Sequence, residues 1–344
     1  MKLFHFGPRL TFCDVITECF ARNHLNSSAF KFVQDKDGIL LFFGRKGCKR
    51  FVEIVQDLFF FLFIHVLLSK NEAIFLVDLF IDEWHSNHLP EWIADAARKE
   101  EFELFCAWEE APFPGRRDLA QWCADHGMKA ARSIEEVVET CDAVSVLAPA
   151  NPEVHARLAE IPLRSGKPVY VDKPFADSLA AAEKMFETAE KYSTPLMTSS
   201  ALRFSEGLIS GEVKKTSPFA FCTSGGGRNF HEYAIHQLEM IVSVMGTEVQ
   251  DVALSGHAGQ LSLNLTFSGA RFATAFYAPN LPFEFHSFSA DGTTICKAAS
   301  GYWGNFTNAL LEFFATGVSP VPKEQTLCIA GLLEKSVALL SANH

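Results

Sequence analysis

Between residues 72 and 200, short apolar runs alternate with amphipathic stretches. "AIFLVDLF" (73–80), "FELFCAW" (102–108), "AVSVLAP" (143–149), "PVYVDKP" (168–174) and "PLMTSS" (195–200) are too short for core helices. They are also too uniformly apolar for half-exposed strands, which suits strands buried on both faces. The stretches between them read as helices. Pro90 is placed to start one. "RDLAQWCADHG" stops at Gly127, "SIEEVVE" opens with a capping box from Ser133 to Glu136, and "SLAAAEKMFETAEKY" repeats its apolar residues at helical spacing. This alternation predicts an α/β, Rossmann-like, doubly wound parallel sheet, whose ligands sit beyond the carboxyl ends of the strands. Asp82–His88, Glu109, Pro149–His155 and Asp172–Pro174 then share one rim.

After Arg203 the pattern changes. "QLSLNLTF" sets Leu261, Leu263, Leu265 and Phe267 on one face, and "RFATAFYA" and "FEFHSFSA" follow after turn residues. This predicts an antiparallel sheet with one apolar face. A helix over Glu232–Met245 and two later ones complete a second, α+β domain. The expected division is an accessory N-terminal segment (1–70), a dinucleotide-binding domain (71–202), and a substrate and oligomerisation domain (203–344).

The net charge of −11 over 344 residues argues against a nucleic-acid partner, which would need a basic patch. Nine cysteines without a C-x-x-C pair read as reduced thiols in a cytoplasmic protein. The first 70 residues hold 13 of the 33 phenylalanines and end in "LFFFLFIHVLLS" (58–69). That run is shorter than the roughly 20 residues that span a bilayer; it reads either as an apolar helix packed on the body of the protein or as sequence ahead of a true start near Lys70. The start has no apolar core with a cleavage site, and no secretory leader is read there.

Two groups of residues carry chemistry. Lys173 ends a rim strand and precedes proline, which favours an extended backbone. An ammonium there can polarise a carbonyl or move a proton, more readily if desolvated. "HEYAIHQLE" sets Glu232 and His236 four apart on one helical face, with His236 suited to carry a proton. "DEWHSNH" (82–88) offers Asp82, Glu83, His85, Asn87 and His88, which with His231 and His236 across the cleft would bind a metal or a polar sugar. The reading set against it is a polar loop capping the Pro90 helix, and no metal site is assigned.

"CDAVSVLAPANPEVHARLAE" followed by "SGKPVYVDKPFADSLAAAEKMFETAEKYSTPLMTSSALRF" resembles the Gfo/Idh/MocA-type oxidoreductases, from about Glu72 to the C-terminus. The resemblance rests on Pro149, Asn151 and His155, on Asp172–Lys173–Pro174 where the family has Glu-Lys-Pro, and on Arg203. It implies hydride transfer between NAD and a sugar- or cyclitol-like hydroxyl or carbonyl. Lys173 and His236 would be catalytic, with Glu232 where the family has aspartate. Glu109, Pro149, Asn151, His155, Asp172, Lys173 and Arg203 would line the cofactor. It also implies a homo-oligomer through the uncovered face of the antiparallel sheet.

One departure stands against the cofactor. The first strand-to-helix turn carries Asp78, Phe80 and Glu83 where three glycines would let the backbone close on a pyrophosphate. Phe80 would crowd a phosphate and the two carboxylates would repel it. Glu109 still favours ribose hydroxyls, and hence NAD over NADP. A cofactor-free relative that binds a carbohydrate or performs non-redox chemistry is the alternative.

Overall fold

The computed structural model describes residues 30–35, 38–43, 71–257 and 259–342. Contacts divide the chain into two units, 1–70 and 71–344. In the first, β1 (Phe30–Asp35) and β2 (Gly38–Phe43) pair antiparallel, Phe30 opposite Phe43. The apolar run 58–69 lies outside the described residues.

The alternating region forms β3 (Glu72–Asp78), α1 (Trp84–Ala94), β4 (Phe102–Glu109), α2 (Leu119–His126), β5 (Lys129–Ala130), α3 (Ile134–Thr140) and β6 (Ala143–Val146). It continues with α4 (Pro152–Leu158), β7 (Val169–Val171), α5 (Leu179–Lys191) and β8 (Leu196–Met197). All six strands are parallel, in the order β5-β4-β3-β6-β7-β8. The strand order reverses at β3, so the crevice at its carboxyl end is the ligand position of a doubly wound sheet. Local signals act as read: Asp118, Ser133 and Ser178 cap α2, α3 and α5, and Gly127 closes α2 in the left-handed region.

One helix start differs. Pro90 does not begin α1 but lies inside it, and the helix starts at Trp84. Leu89 and Ile93, buried against the sheet, hold the helix through the proline's missing donor. His85, Asn87 and His88 therefore stand on the helix rather than in a loop.

The second half builds a six-stranded sheet from β9 (Ala220–Gly225), β10 (Val249–His257), β11 (Gln260–Phe267), β12 (Arg271–Tyr277), β13 (Glu284–Phe288) and β14 (Thr294–Ala298). Its order is β10-β11-β12-β9-β13-β14, antiparallel except where β9 meets β12. Leu263, Leu265 and Phe267 form the expected apolar row. That face is covered: α6 (Phe230–Met245) and α8 (Lys323–Ala342) share its core through Leu238, Ile241, Ile329 and Leu332. Among the described residues no helix covers the opposite face, where Phe219, Phe272 and Phe276 are exposed among polar neighbours. By length and composition α8 could cross a membrane, but here Ile329, Ala330 and Leu332 are buried in the protein.

A further helix, α7 (Tyr302–Thr316), leaves the second half and packs on the parallel sheet. Among the described residues, α1, α2 and the segment Ala201–Phe204 also cover that face. Phe306, Leu310, Phe313 and Phe314 fill the rest beside Tyr170 and Met197.

Candidate active site

At the end of β7, Asp172 is 1% exposed and accepts three hydrogen bonds. The donors are His85 Nδ1, the Tyr170 hydroxyl at 3.0 Å and the Lys173 amide at 2.8 Å. Burial alone raises its pKa, but His85, the Lys173 charge and these donors outweigh it and hold the carboxyl below the ordinary range. Burial lowers the pKa of His85, with Lys173 adding to the effect. His85 is then a neutral imidazole that donates Nδ1–H to Asp172 and keeps Nε2 as an acceptor.

Lys173 is half-buried, and desolvation lowers its pKa, with Arg228 adding and Asp172 and Glu232 opposing. Across the site, His236 on α6 lies 2.6 Å from Ser200 Oγ through its Nδ1. Burial, with Lys173 and His85 adding, pushes its pKa well down. His85, Asp172, Lys173 and His236 line one pocket with Tyr170, Ser145 and an aromatic wall of Trp92, Trp303 and Phe306. Trp92 and Trp303 stack on each other at 4.2 Å. Ser145 Oγ is buried there without a hydrogen-bond partner, a free polar contact for a ligand oxygen.

Lys173, Asp172 and His236 thus meet in one place. The other sequence candidates do not line this pocket, although the Glu232 charge reaches Lys173. Glu232 is a capping residue: its amide donates to Asn229 Oδ1 at 3.0 Å, its Oε1 accepts from Asn229 Nδ2 at 2.7 Å, and its Oε2 pairs with Arg228. His155 is fully buried, its ring nitrogens 3.2 Å from the Phe175 carbonyl and 3.1 Å from that of Ala148. It ties two rim loops together and offers no face to a ligand. Arg203 turns away from the rim to pair with Glu239 and to reach Gln325 at 2.6 Å. Asn151 stands at the start of α4 and bonds Glu153, and Pro149 lies half-buried beside it; neither lines the pocket. His231 is exposed, and His88 stacks on Trp84. Among the described residues no group of three His, Cys, Asp or Glu side chains is arranged to hold a metal.

The pairing of His85 with Asp172 was not read from the sequence. Its signal was a helix start six residues before Pro90, which sets His85, Leu89 and Trp92 on one face at i, i+4 and i+7.

The glycine-free turn is closed from within. Asp78 is fully buried and accepts from Ser86 Oγ at 2.7 Å and from the Phe80 amide at 3.3 Å. Phe80 meets Phe113 edge-on at 5.2 Å, and Arg116 lies over Phe113. Glu83 pairs with Arg116 at 3.4 Å, and Asp82 with Arg117 at 2.8 Å. Glu109 does not await a ribose: its carboxylate accepts from the Ile81 amide at 3.0 Å and the Leu119 amide at 2.8 Å. The expected repulsion is therefore smaller than the sequence suggests, because Asp78 is turned inward and Glu83 is paired. Crowding closes the turn. A dinucleotide pyrophosphate and its adenosine ribose do not fit these residues as they stand.

Burial, with Glu83 and Asp172 adding, pushes the Asp78 carboxyl up to about 7, against Ser86 and the Phe80 amide. Unfolded, it releases its proton near pH ~4. Between those values the folded state binds more protons, so this group lowers stability as pH rises. Asp78→Asn is expected to gain on wild type across that window, by up to about 4 kcal/mol. Urea unfolding at both ends checks this, and a difference that does not change with pH contradicts it.

Residues 85–200 match the model of an oxidoreductase family with an NAD-binding Rossmann fold, Gfo/Idh/MocA. The match begins just past the closed turn. No curated protein matches the sequence at a significant level. Among solved structures, a putative myo-inositol dehydrogenase from Sinorhizobium meliloti 1021 superposes with TM-score 0.64 at 13% identity, over 80% of this chain and 98% of that one. A UDP-N-acetylglucosamine 3-dehydrogenase from Acidithiobacillus ferrooxidans gives 0.62 at 14% identity, over 79% and 97%. A biliverdin reductase from Synechocystis sp. PCC 6803, in complex with biliverdin and NADP+, gives 0.58 at 16% identity, over 78% and 98%. The chain thus carries the Gfo/Idh/MocA oxidoreductase signature over residues 85–200, on a fold that it shares with these enzymes.

Proposed function

We propose that the chain is a small-molecule enzyme that moves a proton at a hydroxyl or carbonyl group of a sugar- or cyclitol-like substrate. One observation carries this: Lys173 and His236, from the two halves of the chain, line the same pocket. Burial lowers the pKa of Lys173 toward the range where proton transfer near neutral pH is efficient, and it holds His236 as a neutral imidazole able to accept a proton. The Lys173 ammonium would stabilise negative charge on a substrate oxygen, and His236 would exchange its proton. Tyr170 and Asp172 fix His85 as a further acceptor on the pocket wall. Ser145 supplies a hydroxyl for orientation, and the Trp92–Trp303 wall offers a flat apolar surface for a ring.

The substrate class is taken from neighbours that act on a cyclitol and a nucleotide sugar. Bound NAD would supply the hydride chemistry of the family, but the turn after β3 does not fit it, and the proposal rests on proton chemistry alone. A turnover screen of cyclitols, sugars and their keto forms, run beside Lys173→Ala, is the test.

The protein works as a dimer in this reading, through the open face of the second sheet. Phe219, Phe272 and Phe276 would supply its apolar contacts there. Light scattering at micromolar concentration should give twice the mass of the 344-residue chain. A monomer would count against it.

A further inference from the structure

We infer that this protein holds no nicotinamide dinucleotide, because its own side chains fill the crevice at the carboxyl end of β3. Three features of the crevice lead there independently.

The first is space. A glycine turn lets the backbone itself touch the phosphates, because no Cβ intervenes. Here Phe80 projects from the middle of the turn and packs against Phe113, which Arg116 covers in turn. Admitting a pyrophosphate means breaking this edge-on contact and displacing the half-buried Phe80 ring from the turn.

The second is acceptor capacity. A carboxylate at the end of the second strand recognises a ribose by accepting from its hydroxyls. Both oxygens of Glu109 are already engaged, by the amides of Ile81 and Leu119. Those amides lie on the turn after β3 and at the start of α2, so Glu109 fastens the turn shut. Withdrawing it to bind a ribose would orphan two backbone donors.

The third is charge. The N-terminal amides of α1 would be the natural seat of a phosphate. No side chain caps them, but Glu83 occupies the N-cap position and sets a carboxylate at the positive end of the helix. Arg116 and Arg117 are the cations that could compete for a phosphate. Arg116 bonds the Asp82 carbonyl at 2.6 Å and pairs with Glu83. Arg117 is shared among Asp82, Asn87 and Asp125. Each would have to leave its carboxylate partner to take a phosphate.

These contacts complete one another. Asp78 uses Ser86 and the Phe80 amide, Asp82 uses Asn87 and Arg117, and Trp122 Nε1 donates to Asn87 Oδ1 at 2.8 Å. A seat awaiting a ligand leaves polar groups unspent, as Ser145 does in the neighbouring pocket. The turn itself spends its own, and the unpartnered atom near it is His126 Nε2, packed behind Trp122 on α2. With no hydride partner, the chemistry at Lys173 is redox-neutral. A proton leaves a carbon beside a carbonyl, its electron pair moves onto the carbonyl oxygen, and a proton returns to carbon or oxygen. Nothing is oxidised.

The test is calorimetric titration of the full chain with NAD+, NADH, NADP+ and NADPH, on protein that first shows a cooperative unfolding transition. The expected result is no saturable heat with any of the four up to about 1 mM. Saturable one-to-one binding of any of them below that concentration overturns the inference. It would leave the proton-transfer reading standing, because that reading fails separately, on unchanged turnover in Lys173→Ala.

Discussion

Lys173→Ala is expected to lower turnover on a true substrate by ~10²-fold or more and to leave the fold intact. The reason for the first effect is position. The side chain faces the pocket that also holds His85 and His236. The reason for the second is that burial already disfavours the ammonium, so removing it relieves a desolvation cost. Asp172 keeps the Tyr170 hydroxyl, His85 and the backbone amide of residue 173 as partners. A pH profile separates a chemical role from a structural one. Wild type should lose activity on an alkaline limb below the ordinary lysine range, and the variant should lack that limb. Wild-type turnover in the variant would remove Lys173 from the mechanism.

Glu239→Ala should destabilise the protein by about 3–5 kcal/mol. Glu239 lies on α6, 3% exposed, and pairs with Arg203 from the segment after β8. It also accepts from the Ser200 amide at 3.3 Å. Removing it leaves a guanidinium buried with Gln325 as its remaining described partner and one nitrogen already unbonded. The double variant Glu239→Ala, Arg203→Met should recover much of the loss, because no uncompensated charge stays behind. Urea unfolding of the three proteins measures this. A single variant within about 0.5 kcal/mol of wild type would mean that the pair is solvated.

The architecture was legible because each strand of the first half is a short apolar run between turn residues. The second half showed the alternation of Leu261, Leu263, Leu265 and Phe267. The convergence of Lys173 and His236 was legible through the resemblance. What misled were residues whose type fits two roles. Pro90 signals a helix start, yet tertiary burial of Leu89 and Ile93 carried the helix past it, and His85 moved from loop to pocket wall. Glu232 has the side chain of a catalytic acid, but Asn229 three residues earlier already marked it as a cap partner. Glu109, His155 and Arg203 sit at strand ends or in motifs, and only coordinates show that their polar atoms are spent on the protein itself. No local pattern reveals a side chain's partner 20 or more residues away.

The position of α7 has a bearing on biosynthesis. The sheet completed at Met197 keeps part of one face bare until Phe306, Leu310 and Phe314 arrive more than 100 residues later. During translation the first half leaves the ribosome with Tyr170 and Met197 unshielded, and it waits for nearly the whole chain before its core can close. A polypeptide cut near residue 203 would therefore not be a free-standing nucleotide-binding module. It would be an open-faced intermediate, a natural client for chaperones, and the two halves are committed to mature together.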